Sequence, residues 1–388
     1  MNDGTALLRE VLSRLEAHLV STGFQGFDPH DGLNSPLVKF LTLGNRRLGV
    51  AALQFFKRCP VDLRPLFGIR PGINPKAQGL LTATYVMKYR ITGMTADLDR
   101  AKEFAAWLIR HPASRCSGAA WGYNFDWPNR NAIFPAGTPT IVNTAYISDA
   151  LLDLFEVTGN RDYFDIARSS ADFIMRDLNR SGTEDEFCFS YTPLDHTQIH
   201  NANLLGAALL ARLFTVTGEA HLRDTAWSAL RFTMARQRVD GAWRYGTEPR
   251  NAWIDSYHTG YNLLAIRRIQ RTLKTDEIES VLRRGFEFYL NHFFTPEGFV
   301  KYYHDRMYPW DGHAMAHALL TLTELAELDP KRTAEIRELV LARVLDTFWD
   351  ARRNCFIYLI HRRHVNRIDY YRWVQCWMFY ALTRMSVA

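Results

Sequence analysis

Cysteine is scarce in this chain of 388 residues. There are five, Cys59, Cys116, Cys188, Cys355 and Cys376, far apart and without a Cys-x-x-Cys pair. So sparse and odd a set excludes a disulfide framework and a cysteine-paired structural zinc site. No run of 18 apolar residues occurs, so no membrane span is expected. The first twenty residues are charged and amphipathic and lack the apolar stretch of a signal peptide, which points to a cytoplasmic protein. A glycine-rich phosphate loop and a Gly-x-Ser-x-Gly elbow are missing too, and nothing asks for a cofactor. The net charge is +6, but its densest cluster is only His361-Arg362-Arg363-His364, without an arm, stripe or recognition motif. Nucleic acid is therefore not an expected partner.

Aromatic side chains are plentiful at 13%, and they recur with a period. Three apolar helical stretches end in Thr-Gly, at Gly93, Gly159 and Gly218, spaced by 66 and 59 residues. Glycine there is the left-handed stop of a helix. A second helix follows each, near 98–109, 163–178 and 222–236, so each unit is an αα-hairpin. The first helix of a unit is apolar on every face, as in Asn203 to Ala211, and is expected to be buried all round. The second is amphipathic: Ile278, Leu282, Gly285 and Tyr289 form one stripe. An inner and an outer layer follow.

Short aromatic segments close the units, around Trp121–Tyr123, Phe187–Tyr191, Trp243–Tyr245, Phe299–Tyr303 and Phe356–Tyr358, and their alternation predicts short strands. Six inner helices are counted, near 76–90, 141–157, 201–216, 258–271, 313–325 and 370–383. An N-terminal helix within 5–22 supplies the sixth outer partner. The predicted architecture is one all-α domain over 1–388, an (α/α)6 toroid with aromatic β segments at one rim. Between 22 and 75 only one helix, from Pro36 to Phe56, is expected.

The inner-helix N-termini and the long loops share that rim, which is where function usually sits on a rigid scaffold. The candidate catalytic groups are Asp126, Asp255, His258, His304, Asp305 and Asp311. Aromatic faces stack on sugar C–H faces and polar groups bond the hydroxyls. The candidate substrate-binding set is therefore Trp121, Tyr123, Trp127, Tyr191, His196, His200, Asn201, Tyr245, Tyr257, Tyr261, Lys301, Tyr303, Arg306 and Trp310. Each has a plainer reading. Asp195, Asp255 and Asp311 precede inner helices, where Asp is commonly an N-cap. Trp121, Tyr123 and Tyr245 also suit a rim core. His196/His200 and His313/His317 have metal-compatible spacing but no evident third ligand, so no metal is assigned. Asp126, between Phe125 and Trp127, is placed where desolvation raises a carboxyl pKa.

The Thr-Gly-ended helices and aromatic rim segments resemble the six-hairpin glycosidase superfamily over roughly residues 70–388. The strings WGYNFDW, SYTPLDHTQIHNANLLGAALLAR, WIDSYHTGYNL and KYYHDRMYPWDGH are similar to proteins of bacterial exopolysaccharide and capsule clusters. That resemblance implies an enzyme acting on an oligo- or polysaccharide, one that is acidic if basic rim residues hold it. The expected reaction is glycoside hydrolysis by two carboxylates drawn from Asp126, Asp255, Asp305 and Asp311. Two alternatives stand beside it. One is a uronic acid C5-epimerase or lyase with Tyr and His as proton carriers and Lys301 and Arg306 holding the carboxylate. The other is a non-catalytic glycan-binding component of a synthesis complex.

Overall fold

The structure is a computed structural model describing residues 2–128 and 133–387. Its helices, in chain order, are α1 (Asn2–Ser21), α2 (Pro36–Thr42), α3 (Arg46–Arg58), α4 (Pro75–Thr92), α5 (Thr95–Arg110), α6 (Ile141–Thr158), α7 (Arg161–Asp172) and α8 (His200–Thr217). They continue as α9 (Ala220–Met234), α10 (Ser256–Leu273), α11 (Glu279–His292), α12 (Gly312–Glu324), α13 (Pro330–Arg343) and α14 (Trp377–Met385). Helix α4 packs on α6, α6 on α8, α8 on α10, α10 on α12, α12 on α14, and α14 back on α4. Those six form the inner ring, and the even-numbered run α4–α14 alternates with outer partners α5 to α13. Helix α1 packs against α14 and supplies the remaining outer position. No helix among the described residues is long and apolar enough to cross a membrane.

The local chemistry explains the layers. Helix α8 is buried from His200 to Ala211, whereas α7 and α11 hide one stripe each. Gly93, Gly159 and Gly218 all end their helices at positive φ, 68°, 69° and 72°. Each of these amides reaches back to the carbonyl four residues earlier, which satisfies an orphaned end of the helix. A different glycine sets the distance between the first loop and α7. A Cβ on Gly118 would lie 1.8 Å from the Ser169 carbonyl oxygen. Gly118→Ala is therefore expected to cost about 1–3 kcal/mol by overpacking, read as a lowered urea midpoint.

The aromatic segments build the rim more by single hydrogen bonds than by strands. Phe187–Phe189 is a strand, paired with Arg180–Gly182, and Cys355–Phe356 pairs with Trp349–Asp350. The segments at 121–123, 243–245 and 299–303 form only isolated bridges or none, because each is spent on the neighbouring unit rather than on a ladder. Thus the first amide of α6 (Ile141) donates to Tyr191, His200 of α8 to Tyr245, Ser256 of α10 to Tyr302, and Gly312 of α12 to Tyr358. Tyr302, not Tyr303, therefore holds the repeat register. The single helix expected after Pro36 is two, broken where Leu43 (φ 47°) and Gly44 (φ 71°) adopt left-handed conformations. This hairpin has its own small core of Leu33, Val38, Phe56 and Ile69 and lies over the rim.

Candidate active site

At the rim the ring opens into a cavity of about 350 Å³. One wall is Tyr123, Phe125, Trp127 and Tyr191, another Tyr245, Trp253, Tyr257 and His258, and a third Tyr302 and Tyr303. The hairpin α2–α3 and the loop before it close the remainder with His30, Leu53, Gln54 and Lys57, and Arg372 and Trp373 come from the last inner segment. Among the described residues no Asp or Glu side chain lines this space. A wider hollow of about 580 Å³ lies on the outer wall, between α1 and the segment around Arg367 and Asp369, away from the converging inner-helix N-termini.

The two cavity histidines are built alike. Asp255 caps α10, accepting from the His258 amide at 2.9 Å, and its other oxygen faces His258 Nδ1 at 2.7 Å and Trp253 Nε1 at 2.9 Å. A carboxylate on Nδ1 fixes that nitrogen as the N–H and leaves Nε2 as the acceptor. His258 Nε2 has no protein partner among the described residues. The ring lies between Tyr245 and Tyr257, at centroid distances of 4.4 and 4.3 Å. His30 repeats the arrangement, with Nδ1 3.1 Å from Asp28 Oδ1. Burial pushes the His30 pKa down to about 4, against the Asp28 hydrogen bond, so the ring is neutral near pH 7. Trp373 and Tyr257 separate the two: His30 is 5.3 Å from Trp373, which is 5.8 Å from Tyr257.

Asp28 is shared. Arg372 donates Nε and one Nη to it at 2.6 and 2.9 Å, a bidentate pair almost wholly buried. Burial pushes the Asp28 carboxyl up, but Arg372 and His30 outweigh it and hold it well below its usual range. The other Arg372 Nη remains for a ligand, and the guanidinium sits 5.1 Å over the Tyr123 ring. Lys57, 5.7 Å from the Trp373 ring, is lowered by burial although Asp311 and Asp28 oppose the shift.

The carboxylates expected from sequence do not face one another. Asp126 is tied to the Ala136 amide at 2.7 Å and to Lys39 at 2.8 Å. Asp311 caps α12 through the His313 amide at 2.7 Å and lies beneath Trp373, whose Nε1 is 3.3 Å from both oxygens. Burial raises its pKa to about 6, against the Trp373 hydrogen bond and the Lys57 charge. Asp305 is exposed, beside Arg306. Asp195 is no cap but a loop anchor, accepting from the amides and hydroxyls of Thr192 and Thr197.

Of the binding candidates, Tyr123, Trp127, Tyr191, Tyr245, Tyr257 and Tyr303 line the cavity. Trp121 is core, its Nε1 donating to Leu108. His200 is buried against Thr233, and burial lowers its pKa to about 3, while His196 is exposed. Asn201 is buried outside the lining with an unpartnered Oδ1. Tyr261 lies deeper, its hydroxyl 3.3 Å from His313 Nε2. Trp310 stacks on Phe299 at 3.6 Å. His304 and Arg306 line a neighbouring surface hollow, and the Lys301 ammonium donates to the His304 carbonyl. His30, Lys57, Arg372 and Trp373 were not among the sequence candidates. A lone arginine inside the apolar run of residues 370–383 was the available signal for one of them. As for metal donors, His18, Cys355 and Asp369 place one ligand atom each within 4.8 Å of the others, on the outer wall and not at this cavity.

No family model matches this sequence, and no curated protein sequence does. Solved structures match over most of the chain. The cellobiose 2-epimerase of Bacillus thermoamylovorans superposes with a TM-score of 0.66 at 11% identity, covering 81% of this chain and 88% of its own. An unsaturated glucuronyl hydrolase specific for heparin gives 0.62 at 14%, covering 82% and 88%. A D-mannose isomerase gives 0.60 at 10%, covering 79% and 86%. The fold is thus the (α/α)6 toroid that these three structures share.

Proposed function

We propose that this protein is a carbohydrate-active enzyme that removes and returns a proton at the carbon beside a sugar carbonyl, an epimerase or isomerase of a reducing sugar. The observation that carries this reading is the pair of carboxylate-oriented histidines, His258 with Asp255 and His30 with Asp28, turned to one aromatic cavity without acidic side chains. One imidazole Nε2 takes the C–H proton. The electron pair left behind forms the enediolate, whose oxygen the free Arg372 Nη stabilises. For epimerisation the other imidazole, protonated beforehand from water at its Nε2, gives that proton to the opposite face, and the first then releases its proton to water; for isomerisation the first imidazolium returns the proton it took to the neighbouring carbon while the O2–H proton passes to O1. Glycoside hydrolysis needs two opposed carboxyl groups, and the acids nearest the cavity are occupied, Asp255 and Asp311 as helix caps and Asp28 by Arg372 and His30. The names of the epimerase and isomerase that share the fold agree with proton transfer. Arg372 is already matched by Asp28, which favours a neutral sugar over a uronate.

The test is incubation with glucose, mannose, cellobiose and N-acetylglucosamine in deuterium oxide, followed by proton NMR. Loss of the C2 proton signal, with appearance of the epimer or ketose, is the expected result. Release of new reducing ends from a polysaccharide without any C2 exchange would remove this reading and restore hydrolysis.

A further inference from the structure

Large apolar side chains in water crowd into one part of the molecule, the α2–α3 hairpin. Leu37, Phe40 and Leu41 share a face of α2, at i, i+3 and i+4, and Leu43 forms the tip; Phe40 is 73% exposed and Leu43 82%. On α3, Leu48 and Phe55 lie two turns apart on one face and are half exposed. Leu53, Gln54 and Lys57 lie on the opposite face of α3 and line the cavity. The charge of the segment is equally one-sided. From residue 32 to 61 there are five cations, Lys39, Arg46, Arg47, Lys57 and Arg58, and not one Asp or Glu. Hydrophobic side chains on a monomer are normally scattered singly, and a contiguous exposed cluster marks an interaction surface.

We infer that the α2–α3 hairpin docks on an anionic lipid bilayer, with Phe40, Leu41 and Leu43 entering the interface and Arg47 and Arg58 facing the headgroups. Apolar residues on short helices whose own charged side chains are all cationic are the composition of a helix that lies in the membrane surface rather than across it; of these cations Lys39 is matched by Asp126. A protein partner would require acidic complementarity over the whole patch, whereas a lipid surface supplies negative charge and an apolar layer together. The same helix presents Lys57 to the sugar cavity, so docking would hold that wall in place while the cavity stays at the rim.

Cosedimentation of the full chain with vesicles tests this. Vesicles of phosphatidylglycerol and phosphatidylcholine in equal parts are expected to pellet the protein, and phosphatidylcholine alone is not. Each basic residue near an anionic surface changes partitioning roughly fivefold, so Arg47→Glu with Arg58→Glu is expected to weaken it about 25-fold or more. Leu41→Ser with Leu43→Ser, together with Phe40→Ser, removes the inserted side chains and is expected to abolish binding. Both sets are on the surface, and an unchanged far-UV circular dichroism spectrum verifies the fold. Absence of binding to either vesicle overturns the inference. So does a dimer in light scattering that the triple serine variant dissolves, which would assign the patch to a second copy. None of these readouts depends on catalysis, so the result stands apart from the proposed reaction.

Discussion

His258→Asn is expected to lower kcat for sugar epimerisation or isomerisation by roughly 10²- to 10⁴-fold, the usual contribution of a positioned general base. KM should change little, because the aromatic walls and Arg372 are untouched. A more discriminating readout is exchange. In a two-base enzyme each imidazole serves one stereochemical direction. Loss of one should stop net conversion while solvent deuterium still enters the epimer that the other histidine deprotonates. His30→Gln should give the complementary pattern, with exchange surviving only in the opposite epimer. Equal loss of exchange from both epimers in both variants would argue for a single base and sink the two-histidine arrangement.

Asp255 separates positioning from stability in the same experiment. It caps α10 through the His258 amide and orients the His258 ring with its other oxygen, which also accepts from Trp253. Asn caps helices about as well as Asp. Asp255→Asn should therefore keep the helix while weakening the hold on the Nδ1–H tautomer, and kcat should fall with little change in melting temperature. Asp311→Asn retains the cap of α12 as well, but its acid lies under Trp373 and orients no cavity histidine. It should lower kcat far less.

The ring was legible in the sequence because it is written as a repeat. Three Thr-Gly stops, all-apolar inner helices and recurrent aromatic segments each follow from one constraint, burial of the inner layer. Much of the aromatic wall was legible for the same reason, since Tyr123, Tyr191 and Tyr245 occupy equivalent places in successive units. What was not legible lies outside the repeat. His30 and Lys57 come from residues 22–75, which have no counterpart in other units, so no spacing places them at the rim. Arg372 lies in register, but its meaning depends on Asp28, 344 positions away in the chain. The acidic candidates were misjudged because an Asp before an inner helix reads identically whether it caps the helix or faces a ligand. Asp255 and Asp311 do the first, and only Asp255 reaches a cavity histidine besides.

Asp28→Asn is expected to be the most destabilising of these changes, by about 3–5 kcal/mol, because it leaves the Arg372 guanidinium buried and uncompensated. The pair joins the loop after α1 to the last inner segment, so the loss falls where the two ends of the chain meet. Replacing both partners, Asp28→Asn with Arg372→Met, removes the orphaned charge and should recover much of the stability while leaving the enzyme inactive. The pH dependence gives an independent check. The Asp28 carboxyl is held below its ordinary 3.8 in the folded chain. Its stabilisation is therefore complete above that value and is lost as the pH falls through the folded pKa. His30 acts in a different window. Its pKa is lowered from 6.5 to about 4 on folding, so the unfolded chain binds more protons in between, and stability should decline as the pH drops from 6.5 toward 4. Urea midpoints measured across that range should decline less steeply in His30→Gln than in wild type, the remaining slope belonging to His200, His313 and His317, whose pKa values burial also lowers. Equal slopes in wild type and His30→Gln between pH 6.5 and 4 would mean that His30 is free to protonate in the folded protein, and the neutral base assigned to it at the cavity would be lost.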